Sequence, residues 1–316
     1  MSDERNGHTI SFIVPVLDGE QHIARCLDSI LEEMDPGDEI LVVDNGSTDD
    51  TLRIVEQYSK VKLLIFPQVT IAALRNRGAA IASGDVLAFI DSDCLVCEGW
   101  RKAVDTVLSD KQVAVTGSIC DVPASGTWIE KAWWSLRRYK RRVHYIASAN
   151  LVMRHETFND VSGFDEKLIT DEDTEICSRI RELGYCIMED PAVRVIHLGN
   201  AKTFRDFVRK EKWHATSILS TMSRQRVDKA MIMTFVFITC MLLALALVPF
   251  VVFGDLSPVF FILTVVLVPF VTALYTVCEN RNFRYLPHLI VLYAVFYLVR
   301  SVTIAEVLLR TDRHET

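Results

Sequence analysis

Apolar positions along the first 200 residues follow two alternating patterns. Short runs of β-branched and other apolar residues, typical of buried strands, are separated by stretches in which apolar residues recur at helical spacing. Between the first two runs the apolar residues mark one face of a helix, at Ile23, Leu27, Ile30, Leu31 and Met34. Strands that alternate with helices in this way predict an α/β domain with a mostly parallel sheet.

The apolar runs predict seven strands, at residues 10–17, 39–43, 61–66, 86–90, 113–116, 147–153 and 193–197. The helical stretches predict further helices at residues 51–58, 71–82, 98–109, 128–142, 171–183 and 204–226. In an open parallel sheet, ligands bind beyond the carboxyl ends of the strands. Polar residues that follow the predicted strands are therefore the first candidates for a site.

The pattern changes after residue 228, where long apolar runs replace the alternation. Residues 230–253 and 256–278 carry no charge, and a third run at 286–309 contains Arg300 and Glu306. A helix as long as the first run would measure roughly 36 Å, enough to cross a bilayer core of about 30 Å. The sequence predicts a first domain at residues 1–228 and a membrane region at residues 229–316 with two to three transmembrane helices.

Composition and charge narrow the choice of partners. The chain has 316 residues, half of them apolar, and a formal net charge of −7. A negative whole-protein field repels polyanions, so we expect no nucleic-acid partner. Eight cysteines spread over this length predict reduced, packing thiols, Cys94 and Cys97 included, rather than disulfides. The N-terminus shows no apolar run of signal-peptide length, so we expect the first domain to stay in the cytoplasm.

Acidic residues follow three of the predicted strands, at what we expect to be one edge of the sheet. They are Asp18, the run of residues 44–49 (DNGSTD) and the run of residues 91–93 (DSD). The chain contains neither the glycine-rich fingerprint of dinucleotide-binding folds nor a P-loop. A nucleotide bound at this edge would face carboxylates, which repel a diphosphate unless a divalent cation lies between them. The acidic runs therefore predict a nucleotide site that holds a metal ion.

Six segments, taken in order, resemble the inverting GT-A glycosyltransferases of family 2. They are residues 14–18, 44–49, 75–78, 84–93, 163–166 and 172–173. The resemblance covers roughly residues 10–200 and implies a Rossmann-like GT-A domain with a mostly parallel sheet. It also implies a nucleotide-sugar donor, usually linked to uridine or deoxythymidine diphosphate, and a Mg²⁺ or Mn²⁺ cofactor.

The resemblance assigns roles to individual residues. Donor-nucleotide contacts are expected from Pro15, Asp18, Asp44, Arg75, Gly78 and Asp91, with Asp44 on the base and Asp91 on the ribose. Metal contacts are expected from Asp93 and His197, although a lone histidine after a short strand is also typical of a structural side chain. Acceptor contacts are expected from Gly163, Phe164, Glu172 and Trp213.

Asp173 resembles the catalytic base of the family. An inverting transfer needs a carboxylate that removes the proton of the acceptor hydroxyl. The alternative is structural, because Thr170 followed by Asp173 also fits a capping box at the start of a helix. Four acids within residues 170–175 exceed what a helix start needs, which favours the catalytic interpretation.

Two departures from the family pattern bear on the substrates. Processive members carry Gln-x-x-Arg-Trp near the membrane, whereas residues 209–213 read RKEKW, so we expect transfer of a single sugar. Asn45 stands where many relatives have aspartate, and Asp18 where many have asparagine. The choice of donor therefore stays open.

Charges and aromatic residues predict how the chain meets the membrane. Trp128, Trp133 and Trp134 precede a cationic run at residues 137–142, which fits either contact with anionic lipid or a lipid-linked phosphate, or a solvated helix face. Cationic residues between positions 209 and 229 precede the first apolar run and predict a cytoplasmic catalytic domain on the inner membrane. The third run is expected to cross the bilayer; an in-plane helix is the alternative that explains its charges.

The leading hypothesis is a membrane-anchored, metal-dependent inverting glycosyltransferase. Its partners would be a nucleotide-sugar donor, a lipid-linked or cell-envelope glycan acceptor, and membrane lipids. Two alternatives stay open, a transferase acting on a polyprenyl phosphate and a non-catalytic membrane scaffold with a nucleotide-binding fold.

Overall fold

A computed structural model of the chain describes residues 7–134, 136, 139–215, 229–254 and 257–311. The chain divides into two compact units. The first unit comprises Met1–Ala124 and Tyr139–Asn200, and the second comprises Ser125–Arg138 and Ala201–Thr316. The hypothesis for the cationic run falls partly on Arg137 and Arg138, which lie outside the described residues.

The strands of the described chain all lie in the first unit. They are β1 (Ile10–Val16), β2 (Glu39–Asp44), β3 (Val61–Ile65), β4 (Val86–Ile90), β5 (Cys94–Val96), β6 (Val113–Gly117), β7 (Asn150–Arg154), β8 (Cys186–Glu189) and β9 (Val195–His197). Seven of them form one sheet in the order β3-β2-β1-β4-β7-β6-β8. Only β7 runs antiparallel to its neighbours in this sheet, so the predicted mostly parallel sheet is confirmed.

The α-helices of the described chain belong to both units. They are α1 (Ile23–Glu33), α2 (Thr51–Val55), α3 (Ile71–Ile81), α4 (Trp100–Leu108), α5 (Trp128–Trp134), α6 (His155–Asp160), α7 (Glu172–Glu182), α8 (Phe204–Ala215), α9 (Lys229–Val252), α10 (Pro258–Asn280) and α11 (Leu286–Thr311). Helices α1 to α4, α6 and α7 lie in the first unit, and the others lie in the second.

The sheet has an apolar core on each face because side chains on a strand alternate between faces. Strand β1 places Phe12 in one core and Ile13 in the other. Trp100 of α4 packs on Phe12, with 5.3 Å between the ring centroids. On the opposite face Phe89 packs edge-to-face on Phe164, at 5.1 Å. Both faces of the sheet are therefore covered, which leaves the ends of the strands for a site.

A second, two-stranded sheet lies beyond the end of β4. Strands β5 and β9 pair antiparallel, with Cys94 opposite His197. The amide of Leu198 donates to the carbonyl oxygen of Asp93 at 2.8 Å. This small sheet brings a late part of the chain next to the acidic residues that follow β4.

The second unit contains three helices that are long and apolar enough to span a membrane. These candidate spans are Lys229–Val252, Pro258–Asn280 and Phe283–Glu306, with mean hydropathies of 2.8, 2.3 and 1.8. A short 3-10 helix at Phe283–Tyr285 joins α10 to α11. Apolar side chains on α9 and α10 are widely exposed, among them Leu243, Val252 and Leu263, as expected for helices that face lipid.

Several predicted elements differ from the observed ones. The helix predicted at residues 128–142 ends at Trp134 as α5, and residues 139–142 are not helical. The strand predicted at residues 147–153 begins only at Asn150. Strands β5 and β8 and helix α6 were not predicted, because segments of three to six residues are too short to show a period. The helix predicted at residues 204–226 is described to Ala215, and its remainder lies outside the described residues.

Candidate active site

The loop after β2 is organised by the Asp44 carboxylate. Asp44 is fully buried, and its Oδ1 accepts hydrogen bonds from the amides of Gly46 and Ser47 at 2.7 and 2.8 Å. Gly46 adopts a φ of +91°, which favours glycine. Asp44, which is predicted to contact the nucleobase of the donor, therefore also fixes the shape of the loop after β2.

Asp18 joins the same loop from the end of β1. Its Oδ1 accepts from the amide of Thr48 at 2.8 Å, and its own amide donates to Ser47 Oγ at 2.9 Å. The predicted donor residues Asp18 and Asp44 are thus brought together through Ser47. Pro15 lies within β1, opposite Val43.

Gly78 has a packing role in helix α3. A Cβ at this position would lie 2.6 Å from Ile13 Cγ2 and 3.0 Å from Val43 Cγ2. Only glycine lets α3 approach the sheet this closely. This close approach places Arg75, one turn earlier on the same helix, at the ends of the strands.

Arg75 connects the predicted donor and acceptor residues. The side chain is 2 % exposed, and its two terminal nitrogens bind Asp91 Oδ1 at 2.8 Å and Glu172 Oε1 at 2.6 Å. Its guanidinium also stands over the Phe164 ring, 6.0 Å from the centroid. A buried arginine held by two carboxylates fixes both of them in place.

Asp173 lies beside this network at the first turn of α7. Its Oδ2 accepts from the amide of Ser148 at 3.1 Å, and its Oδ1 accepts from the amide of Thr174 at 2.7 Å. Burial and the neighbouring Glu172 carboxylate raise the pKa of Asp173 to about 7, against the amide hydrogen bonds and Arg75, which lower it. A carboxyl group with a pKa near neutrality suits proton transfer.

The capping-box interpretation of Asp173 does not fit the observed helix start, although Asp173 lies in the first turn of α7, where a carboxylate also stabilises the helix. The N-cap of α7 is Asp171, in the left-handed region with a φ of +66°, rather than Thr170. The spacing between Thr170 and Asp173 is therefore not that of a capping box, which pairs the N-cap with the residue three positions later.

Asp93, Cys94 and His197 form a cluster in which ligand atoms lie within 4.8 Å of one another. His197 Nε2 lies 3.4 Å from Asp93 Oδ1. The other ring nitrogen of His197, Nδ1, is buried without a hydrogen-bond partner among the described residues. The structure thus brings together the two residues predicted to bind a metal.

Cys94 is the weakest ligand of this cluster. A hydrogen bond with the Cys120 thiol, together with burial, raises the pKa of Cys94 well above its usual value. The neutral thiol is a poor ligand for Mg²⁺ or Mn²⁺, which prefer oxygen. Its packing role stays the simpler interpretation.

Gly199 leaves room for the Asp93 carboxylate. A Cβ at this position would lie 1.8 Å from Asp93 Oδ2, so any side chain would displace the carboxylate. Gly199 was not among the predicted site residues, although a glycine two residues after the predicted ligand His197 could have indicated a close approach to the metal site. Ser148 was also missed, because no motif surrounds it.

The predicted acceptor residues occupy different places. Glu172 lies in the buried network with Arg75, and Phe164 is 3 % exposed in the core beneath it. Gly163 has a φ of +69° and leads into Phe164, whose amide donates to Asn76 Oδ1 at 2.9 Å. Trp213 is exposed and belongs to the second unit, so its acceptor role stays a prediction.

Comparison with known families gives two overlapping matches. Residues 11–158 match the family described as "Glycosyl transferase family 2", and residues 90–299 match "Glycosyl transferase family group 2". The second match covers more than half of the chain and extends into α11.

Individual relatives share about a quarter to a third of the aligned residues. "Glycosyltransferase AglE" of Haloferax volcanii is 29 % identical over 64 % of this chain and 70 % of its own length. "Pre-mycofactocin glycosyltransferase" of Mycobacterium tuberculosis is 27 % identical over 66 % of this chain, which is 46 % of its own length. The match thus spans less than half of that second relative.

Solved structures share the fold at low sequence identity. A "Mannosyltransferase PcManGT from Pyrobaculum calidifontis in complex with GDP-Man and Mn2+" aligns with a TM-score of 0.58 at 18 % identity, covering 92 % of this chain and 87 % of that one. A structure of "GalNAc-T7 with UDP, GalNAc and Mn2+" aligns with a TM-score of 0.51 at 20 % identity, covering 67 % and 51 %. The first unit therefore has the GT-A-like fold that the resemblance implied.

Proposed function

Because this chain belongs to the family described as "Glycosyl transferase family group 2", we propose that it moves one sugar, with inversion, from a nucleotide-diphosphate donor to a lipid-linked or cell-envelope glycan acceptor. That it is a glycosyltransferase follows from the family and from its named relatives. The inversion of configuration at the anomeric carbon, the kind of acceptor and the roles of the residues below are the proposal.

One observation carries the proposal. The buried Arg75 guanidinium binds Asp91 at 2.8 Å and Glu172 at 2.6 Å, and Asp173 follows Glu172 directly. Ser148 joins Asp173 to the same network, because its hydroxyl donates to Glu172 Oε1 at 3.2 Å and its amide donates to Asp173 Oδ2 at 3.1 Å. Such preorganisation is what a displacement reaction needs, since its reacting atoms must meet in line.

Asp173 is proposed as the base that removes the proton from the acceptor hydroxyl. The amides of Ser148 and Thr174 orient its two oxygens, and the pKa near 7 lets it hold a proton after transfer. The hydroxyl oxygen then forms the new bond to the anomeric carbon as the bond to the diphosphate breaks. This single displacement inverts the configuration at that carbon.

Asp93 and His197 are proposed to hold Mg²⁺ or Mn²⁺. The Asp93 carboxylate is the kind of ligand that these ions prefer, His197 Nε2 lies 3.4 Å from it and can add a nitrogen ligand, and two structural neighbours contain Mn²⁺. When bound, the ion supplies positive charge that stabilises the departing diphosphate.

The active site is proposed to face the cytoplasm at the inner membrane, anchored by the apolar helices of the second unit. Support comes from the basic residues Arg209, Lys210 and Lys212 in α8, which precede the first candidate span, as the distribution of positive charge around cytoplasmic loops predicts. The acceptor would then be presented at the membrane surface.

Asp173→Asn tests the proposed base. We expect transfer to fall by about 10²- to 10⁴-fold, because asparagine keeps the shape of the side chain and cannot accept the proton. Donor binding, measured as the shift in Tm with a nucleotide sugar and Mn²⁺, should be retained.

The matched control is Glu182→Gln, which neutralises an exposed acid at the other end of the same helix and should leave transfer unchanged. Transfer at the wild-type rate by Asp173→Asn would show that another group acts as the base. Loss of donor binding in Asp173→Asn would show that the residue serves the donor instead.

A further inference from the structure

Arg300 and Glu306 lie inside the apolar sequence of α11, and both pair with the same neighbouring helix. Arg300 Nη2 lies 3.7 Å from Glu211 Oε2, with both side chains largely buried, and Lys212 Nζ lies 2.8 Å from Glu306 Oε2. Six of the twelve residues of their partner, α8, are charged. A helix of that composition does not lie in the hydrocarbon of a bilayer.

The other half of α11 contacts α5. The rings of Trp128 and His288 lie 5.2 Å apart, and those of Trp133 and Tyr293 lie 4.9 Å apart. Together α5 and α8 accompany α11 from residue 288 to residue 306, a distance of about 27 Å along the helix. That length is close to the full thickness of a bilayer core, about 30 Å. If α11 crossed the bilayer, parts of these helices would be drawn into the hydrocarbon with it.

The α9–α10 hairpin meets α11 through one end only. Tyr297 stacks on Phe237 at 5.4 Å and bonds Thr272 at 3.0 Å, and Thr276 bonds Tyr293 at 2.9 Å. These contacts use the first half of α9 and the second half of α10. The opposite ends of the two helices expose large apolar side chains, among them Leu245, Val252, Phe260 and Leu263.

Among the side chains of α11 that the structure describes, the exposed ones lie along one narrow apolar stripe. Its large members are Val291, Leu298, Val302 and Leu309, which are between 46 % and 67 % exposed. At about 100° per residue these four positions fall within an arc of about 40°, on the side of the helix away from Arg300. A helix with polar partners along its length and one apolar stripe is suited to the boundary between headgroups and acyl chains.

We propose that α11 lies in the plane of the membrane interface and rests its apolar stripe on lipid, while only the α9–α10 hairpin crosses the bilayer among the described helices. The C-terminus then stays on the same side as α8. This arrangement also keeps Arg310 and Arg313 on the side that holds the other basic residues, whereas a crossing would separate them. The proposal concerns an interaction surface and stands whether or not the chain transfers a sugar.

Labelling from one side of the membrane tests this topology in the full chain. A membrane-impermeant maleimide is applied to sealed vesicles of both orientations carrying Thr316→Cys, with the wild type as the background for the native cysteines. Arg205→Cys, exposed on α8, marks the side of that helix, and Phe253→Cys, exposed just after the end of α9, marks the side reached by the first crossing. We expect Thr316→Cys to react in the same orientation as Arg205→Cys. Reaction in the same orientation as Phe253→Cys overturns the proposal.

Depth measurement gives a second, independent test. Nitroxide labels at Val291→Cys and Leu309→Cys are compared by their accessibility to oxygen and to a water-soluble nickel chelate in reconstituted vesicles. An in-plane helix places both labels at nearly the same depth. A crossing helix separates them by about 25 Å, and a separation of that order overturns the proposal.

Discussion

At the scale of the residue, the site depends on three carboxylates that differ in what surrounds them. Asp44 is saturated by the amides of its own loop, Asp91 is held by Arg75, and Asp173 is crowded by Glu172. The same chemical group therefore organises a loop at Asp44 and is proposed to bind the donor at Asp91 and to act as the base at Asp173, according to its environment.

The pH dependence of transfer follows from the raised pKa of Asp173. Burial and Glu172 favour its protonated form, and only the deprotonated form accepts a proton. We expect kcat/KM to rise as the pH increases through about 7. Glu172→Gln removes the neighbouring negative charge, so the midpoint of the rise should move to lower pH.

Glu166→Gln provides the control for this profile, since Glu166 bonds Asn76 in an exposed position and should leave the midpoint where it is. An unchanged midpoint in Glu172→Gln would contradict the assignment of the rise in kcat/KM to the deprotonation of Asp173.

The buried pair of Arg75 and Glu172 predicts a characteristic stability pattern. Arg75→Met leaves Glu172 buried without its cation, which lowers the free energy of unfolding by about 3 to 5 kcal/mol. The double variant Arg75→Met/Glu172→Gln should recover part of this loss, as measured by thermal unfolding in detergent. Arg53→Met, which breaks an exposed pair with Asp50, should change little. A double variant no more stable than Arg75→Met would contradict the account.

At the scale of the element, Asp93, Cys94 and His197, the residues of the candidate metal site, come together because β5 and β9 pair. This pairing sets His197 beside Asp93 and requires glycine at position 199. Gly199→Ala pushes the Asp93 carboxylate aside, so the rise in Tm on adding Mn²⁺ alone should be lost. At one hundred times its Kd, an ion bound to one site stabilises a protein by about 2.7 kcal/mol.

Gly7→Ala is a matched control for Gly199→Ala. Its Cβ would lie 2.9 Å from Asp105 Oδ2, which crowds a carboxylate outside the metal cluster, and the Mn²⁺ response should persist. A normal Mn²⁺ response in Gly199→Ala would show that the ion binds elsewhere.

Long periodic elements were predictable from the sequence, and short ones that depend on distant partners were not. Strands β1 and β4 and helix α1 carry enough apolar residues in one pattern to be recognised. β5 has three residues and was not predicted, because it forms only by pairing with β9, whereas the run at residues 193–197 did predict β9. The prediction that the helix continues to residue 142 was wrong, because residues 139–142 are not helical. Helical spacing of charged residues does not show whether the segment has a surface to pack against.

The sequence allowed us to predict which residues belong to the candidate site, but not all of the contacts that they make. Asp93 and His197 were selected together and are adjacent. Phe164 was selected for an acceptor and instead lies buried, where its ring packs on Phe89. Phe164 is buried because it packs on the sheet, and the residues near position 164 in the sequence do not indicate this contact.

At the scale of the whole molecule, one chain combines a GT-A-like unit with a unit that contains three candidate membrane spans. The family match that spans residues 90–299 includes parts of both, which supports a common function at the membrane. A screen of nucleotide sugars with Mn²⁺ by thermal shift identifies the donor, because a ligand that binds the native state raises its apparent stability.

The stereochemistry of the product tests the central claim most directly. With the donor that this screen identifies, the anomeric configuration of the transferred sugar is measured by proton NMR. A hydroxyl activated by Asp173 attacks from the face opposite the diphosphate, so the account predicts a product whose configuration is opposite to that of the donor. A product that keeps the configuration of the donor would contradict it.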